Sequence, residues 1–498
     1  MRDHLSNEPD AEEGVFSLLD EKWIPVLYAD GRRGRVGIRQ ALTEAGDIRQ
    51  IAASNPMDNV ALLRFLLAVL YWCKGCPPIQ GEKDKVLAAG RFPPDWFTKL
   101  DQEKDCFNLL GDGKRFYQNK EYKQRTAEHT TNYLVHEVPS GTNKWHFRHA
   151  LHGKDGLCPA CCAMGLIRLP VFATSAGKGM SPSTGKSPGI NSKPPLYVIP
   201  VAKSLAATLL LSWQTTGVSL GTPEWETPGN TLQASGEVPL LTGLTWLPRN
   251  VWLAQPEEPE SLCARCGRKE RLIRVCVFDG KGSTKAGQRI WRDPHVIYEA
   301  PQDGKASTLQ TSNALGATDA AAGQWASRTA AILRDLHSSG EGTLWIVGFS
   351  TVQNDKYLEA TECLLQLPRS SEQNNELIAM LERWLNQGES LARRIRPKEE
   401  PSSRKHAELR PAVDAIRPQV EARVLQTAGQ LLGGDQAAWD HAVLEYGPMM
   451  QAIAKSLAPG FTTRVLERRN QIAQALPDMT PKPTQKSRKP VAKKGGEK

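Results

Sequence analysis

The chain has 498 residues, 40% of them hydrophobic and 23% charged, which suits roughly two to four globular domains and excludes a disordered chain. Lys and Arg number 63 against 54 Asp and Glu, a net +9, but Pro481 to Lys498 hold seven Lys/Arg and one Glu and so carry +6 of it. The body is therefore close to neutral, and bulk charge does not mark it as nucleic-acid-binding. The basic tail reads as a solvated end compatible with nucleic acid.

The opening MRDHLSNEPDAEEG is polar, with no apolar core of an export signal. The greasiest run, Val60 to Trp72, is shorter than the ~18 residues that cross a bilayer and carries Arg64. These features point to a soluble, cytoplasmic chain with no membrane segment. Trp23 to Tyr28 is rich in β-formers and precedes an Asp30-Gly31 turn. Asn55-Pro56-Met57-Asp58 stops the chain, and Asp58 is placed to cap a helix over Val60 to Trp72. That helix is apolar on nearly every face, which predicts burial. From about Phe92 to Pro195 the sequence reads mostly as loop. Strands are expected at Leu196 to Pro200, Leu272 to Phe278 and Thr343 to Gly348, with a helix around Gln324 to Leu336.

Beyond about Leu367 the period changes. Leu377, Leu381, Trp384 and Leu385 share a helical face, as do Val420, Val424, Ala428, Leu431 and Leu432. Val443, Tyr446, Met450, Ile453 and Leu457 mark a third helix, and Val465, Ile472 and Leu476 a fourth. The fold expected is α+β: a large mixed N-terminal domain over 1–366, a C-terminal four-helix bundle over 367–480 and a basic tail over 481–498.

Ten cysteines without an export signal argue against disulfides. Cys158-Pro-Ala-Cys161 and Cys263-Ala-Arg-Cys266-Gly267 are two C-x-x-C pairs, and two such pairs complete a tetrahedral zinc site. Four protein thiolates leave no position for substrate, so the expected role is structural. Cys162 is a neighbouring competitor for the first pair, and reduced buried thiols are the plain alternative.

Two temptations fail or weaken on inspection. Met180 to Ser187 ends in Gly185-Lys186-Ser187 like a phosphate loop, but its leading glycine is misplaced and Pro188-Gly189 blocks the helix that should follow. His146, His149 and His152, with Asp155, offer the spacing of a metal-dependent nuclease, yet no carboxylate pair accompanies them.

In the order of its motifs the chain resembles CasA, the family of large subunits of type I-E CRISPR surveillance complexes (Cascade). The resemblance is carried by Leu18-Leu19-Asp20-Glu21-Lys22-Trp23-Ile24-Pro25-Val26, the Ala61-Leu62-Leu63-Arg64 helix, the first C-x-x-C, a Gly/Ser/Lys loop, the second C-x-x-C and the helical bundle. It spans almost the whole chain except the tail. It implies a protein that is not an enzyme, with structural zinc as its cofactor. The implied partners are the subunits CasB, CasC, CasD and CasE, the crRNA, target double-stranded DNA and the CRISPR helicase-nuclease.

The resemblance also implies four contacts. Phe147, Arg148 and His149 fall where the family grips the 5′ end of the crRNA, with His149 replacing a small polar residue. Ser175, Ala176, Gly177, Lys178 and Gly179 correspond to the glycine-rich loop that enters the minor groove at the PAM, the short motif beside the target. Lys178 departs from the family pattern there, and degenerate minor-groove chemistry implies permissive PAM reading. Lys281, or Lys285 as an alternative, corresponds to a minor-groove lysine. Gln353 and Asn354 correspond to a wedge that parts the first base pair, a step costing only a few kcal/mol. A zinc-stapled scaffold binding only proteins is the remaining alternative, given the near-neutral body.

Overall fold

A computed structural model of the chain describes residues 15–125, 129–135, 156–171, 196–214, 219–229, 236–280, 289–290, 293–297, 343–352, 356–366 and Pro448. The chain divides into two compact units, Met1–Arg369 and Ser370–Lys498. Apart from Pro448, the described residues belong to the first. The four helices expected of the C-terminal bundle, the helix around Gln324 to Leu336 and the basic tail lie outside them.

The first unit opens with β1 (Ile24–Tyr28), β2 (Arg33–Val36), α1 (Ile38–Thr43) and β3 (Ile48–Ile51). The strands form an antiparallel sheet in the order β2-β1-β3. Ile24, Val26 and Tyr28 are buried while Pro25 and Leu27 are only half-buried, the alternation of a sheet with one wet face. The Asp30-Gly31 turn forms as expected, with Gly31 at φ +86° and Asp30 Oδ1 accepting from the Arg32 N–H at 2.8 Å.

Helix α2 (Pro56–Lys74) is the axis of the core. It starts four residues earlier than expected. Pro56 sits at its first position, where the missing N–H costs nothing, and Asn55 rather than Asp58 is the cap: Asn55 Oδ1 accepts from the Asp58 N–H at 2.9 Å. At 19 residues α2 is long and apolar enough to span a bilayer, contrary to the sequence reading, but 83% of its most apolar stretch is buried inside the chain. Phe65 meets Phe116 and Trp225 edge-on, Trp72 meets Trp225 and Phe107, and Tyr71 meets Trp213. This aromatic packing explains why nearly every face of α2 is greasy.

Next come α3 (Gln80–Ala89), α4 (Thr98–Gln102), β4 (His129–Thr130) and α5 (Pro159–Arg168). The last overturns part of the loop reading of Phe92 to Pro195. Cysteine and glycine are poor helix formers, but α5 is buried along its length from Ala160 to Arg168, and tertiary packing overrides propensity. A Cβ on Gly165 would stand 2.7 Å from the Leu134 Cβ, so only glycine permits this approach.

The remaining elements are β5 (Leu196–Val201), α6 (Leu205–Ser212), β6 (Gly236–Glu237), α7 (Leu240–Thr245), β7 (Arg249–Leu253), β8 (Glu257–Leu262), β9 (Lys269–Leu272), β10 (Val275–Gly280), β11 (Arg289–Ile290), β12 (Val296–Ile297), β13 (Thr343–Val352) and β14 (Lys356–Gln366). The run Leu272 to Phe278, read as one strand, is split: β9 pairs with β8, whereas β10 lies between β4 and β7. A further sheet runs β12-β5-β13-β14, and β13 extends past Gly348 to Val352.

Candidate functional site

The two C-x-x-C pairs, far apart in the chain, meet. Cys158 is the N-cap of α5, and its carbonyl accepts from the N–H groups of Cys161 and Cys162 at 3.0 Å each. The second pair occupies the turn of the β8–β9 hairpin. There the Cys263 N–H donates to Arg268 O at 2.8 Å, the Gly267 N–H donates to Cys263 O at 2.9 Å, and Gly267 takes φ +70°. Backbone bonds draw the two segments together: Leu157 and Ile273 exchange bonds of 3.0 and 2.9 Å, and the Ala264 N–H donates to Gly156 O at 3.1 Å.

The sulfurs of Cys158, Cys161, Cys263 and Cys266 all lie within 4.8 Å of one another. The Cys158 and Cys266 sulfurs are 3.7 Å apart. Four sulfurs at about 2.3 Å from one tetrahedral ion stand roughly 3.8 Å from each other, so the donor set fits zinc. Hydrogen bonds from Cys158 and Cys161 lower the Cys263 thiol to about 6 and push Cys266 well below the ordinary thiol range, while Cys161 is raised. Cys162 stays outside the cluster. Its sulfur faces Leu157 O at 3.8 Å, and burial pushes its thiol up.

The sequence reading missed what anchors this cluster. Asp58, fully buried, accepts from Arg168 Nε at 2.8 Å and Nη2 at 2.5 Å through Oδ1. Its Oδ2 accepts from Arg265, the residue inside the second C-x-x-C. One carboxylate on α2 thus ties down the end of α5 and the knuckle turn. Arg268, next to the knuckle, reaches Cys158 Sγ at 3.8 Å and Glu270 at 3.1 Å, placing positive charge beside the sulfurs.

A second buried ion pair lies further along α2. Arg64 donates to Asp293 Oδ2 through Nε at 2.8 Å and Nη2 at 2.6 Å, and Asp293 Oδ1 accepts from the His295 N–H at 2.9 Å. The His295 ring is buried with neither nitrogen hydrogen-bonded, and burial pushes its pKa down to about 4.

The β13–β14 hairpin has a different form. The strands pair from Thr343↔Gln366 to Val352↔Lys356, and among the described residues β5 pairs with β13 from Thr343 to Val347. Gly348, next along β13, is buried, and the pairing of β13 with β14 continues to Val352. Residues 353–355 join the two strands. Gln353 and Asn354 lie in that connection, outside the described residues. So do Phe147, Arg148 and His149, Ser175, Ala176, Gly177, Lys178 and Gly179, Lys281, and His146, His152 and Asp155. Lys281 follows directly on Gly280, which pairs with Arg249 at the end of β10.

The fold is shared with known proteins. CasA of Thermus thermophilus superimposes with a TM-score of 0.65 over 93% of this chain and 99% of that one, at 18% identity. Cse1 of Acidimicrobium ferrooxidans gives 0.62 over 95% and 100%, also at 18% identity. A chain of a CRISPR RNA-guided surveillance complex gives 0.62 over 93% and 99%, at 14% identity. In sequence, a CasA/Cse1 protein of Thermus thermophilus is 30% identical over 217 residues, which span 43% of this chain and 42% of that relative. The family model of CRISPR-associated protein Cse1 matches residues 17–445, and the chain belongs to this family.

Proposed function

We propose that the chain is the large, non-catalytic subunit of a type I-E Cascade complex acting in the cytoplasm. In this reading it assembles with CasB, CasC, CasD and CasE, holds the 5′ end of the crRNA through Phe147, Arg148 and His149, and receives the helicase-nuclease. Ser175 to Gly179 and Lys281 meet the PAM in the minor groove, and Gln353 and Asn354 part the base pair next to it. The C-terminal four-helix bundle completes the protein.

The observation that carries this reading is the long hairpin of β13 and β14. A long paired β-hairpin is a stiff support for pushing its connection into a base step, and the two residues assigned to the wedge fall between its strands. Unstacking one step costs a few kcal/mol, and guide pairing then makes strand exchange nearly balanced. A small rigid element is sufficient.

Zinc held by Cys158, Cys161, Cys263 and Cys266 is structural in this reading, because four protein sulfurs fill its coordination. It fixes the β8–β9 turn against the start of α5. The test is binding of duplex DNA to the assembled complex, with the PAM present or scrambled. Preference for the PAM-bearing duplex supports the reading. Equal binding of the two would favour a scaffold that contacts only proteins.

A further inference from the structure

The N-terminal sheet has a wet face that none of the contacts above employs. In its register, Arg33 and Gln50 flank Leu27 on either side, and Arg35 lies beside Pro25. The opposite face holds Ile24, Val26, Tyr28, Val36, Ile48 and Ile51, all buried. A bulge between Leu27 and Tyr28 leaves Arg49 as the extra residue of β3, exposed like Arg33 and Gln50, while Arg35 is half-buried. Among the described residues, the side chains of Arg33, Arg35 and Arg49 make no ion pair or hydrogen bond. The neighbouring Arg32 is already occupied, by Asp30 at 3.6 Å and by the Tyr28 ring at 4.2 Å. Exposed acids stand at the two ends of the sheet, Asp30 and Asp47 in the turn after β1 and just before β3, and Asp20 and Glu21 just before β1, with Asp20 bonded to Arg39 at 3.3 Å.

Three guanidinium groups without a partner among the described residues, carried on a paired backbone, make a cationic face. Arg33 and Arg35 are two residues apart on one strand, about 7 Å along it. Guanidinium forks match phosphate oxygens and desolvate more easily than ammonium groups. The same face presents Pro25, Leu27 and Gln50 and no aromatic ring. Gripping single strands relies on aromatic stacking, so this face suits the phosphates of a closed duplex rather than unpaired RNA or DNA.

We propose that Arg33, Arg35 and Arg49 hold the phosphate backbone of the target duplex. The proposal rests on the reading of the chain as a DNA-recognising subunit and adds a sequence-independent contact to it. Such a contact positions the duplex and adds affinity without reading bases.

The test compares assembled complexes carrying the parent chain, the triple variant Arg33→Gln/Arg35→Gln/Arg49→Gln, or a control triple variant Lys85→Gln/Lys104→Gln/Lys120→Gln that removes the same charge elsewhere. Each is titrated with PAM-bearing and PAM-scrambled duplexes over a range of salt. The arginine variant is expected to bind both duplexes about tenfold more weakly at ~0.15 M salt. Its slope of log affinity against log salt should flatten by about 2 to 3, at ~0.9 for each phosphate no longer neutralised. The control should change neither. Equal losses in the two variants, or an unchanged slope in the arginine variant, overturn the proposal. So does an arginine variant that no longer enters the complex, since the face would then meet a protein subunit. A parent complex blind to the PAM would instead count against the reading of the whole chain.

Discussion

Two hairpins of the first unit carry residues of interest at their turns, and they are built for opposite ends. The β8–β9 hairpin is short, and its turn is drawn inward by backbone bonds to Gly156 and Leu157, by three further sulfurs around Cys266, and by the Arg265 bond to Asp58. The β13–β14 hairpin is longer, with strands of ten and eleven residues, and among the described residues β5 lies beside β13 from Thr343 to Val347. Residues at the first turn should matter to stability and little to recognition. Residues at the second should show the reverse.

The largest effect is expected at the inward turn. Cys263→Ser/Cys266→Ser should abolish zinc binding, measured as metal per chain by mass spectrometry. It should also remove a contribution on the order of 10 kcal/mol to local order, so that the chain becomes insoluble or loses its cooperative melt. A variant that melts like the parent would refute the staple.

Asp58→Asn comes next. Neutralising Asp58 removes a buried carboxylate that Arg168 and Arg265 share, at a cost of about 3–5 kcal/mol in denaturant unfolding. If α2 and the knuckle are joined through this carboxylate, the variant should also release zinc faster to a chelator.

A smaller effect should appear with pH. The pKa of His295 is near 4 in the folded chain against an ordinary value of 6.5, so the unfolded chain binds the extra proton between those values. Asp293 raises the folded value and Arg64 lowers it, both secondary to burial. Stability is therefore complete above pH 6.5 and falls as pH drops toward 4, by about 3 kcal/mol at ~1.4 kcal/mol per unit. His295→Leu should flatten that part of the profile relative to the parent in parallel melts.

The smallest effect on stability is expected at the connection between β13 and β14. Gln353→Ala/Asn354→Ala should shift unfolding by no more than about 0.5 kcal/mol, as expected of the turn tip that the sequence reads there.

How far these features could be read from the residues alone follows from the range of the interactions. The burial of α2 was legible because its apolar residues leave no polar face, and the cysteine cluster because each pair is a local signal of known geometry. The role of Asp58 was not. Its partners lie 110 and 207 residues away, and an Asp near a helix start is usually a cap, the role that Asn55 takes here. The α5 helix was hidden because its first turn is itself a C-x-x-C motif, which reads as a turn. The division of β9 from β10 depends on which sheet each strand joins, a choice that composition does not express. Among the assigned contacts, the four cysteines are the set the structure brings together, while the crRNA, PAM, lysine and wedge residues fall outside the described segments.

The contrast between the hairpins is tested most directly by R-loop opening in complexes containing the parent chain or Gln353→Ala/Asn354→Ala. PAM-duplex affinity and opening rate should be followed on the same samples. The expected result is a clear slowing of opening with PAM binding little changed. Equal opening rates in the two complexes would contradict the wedge.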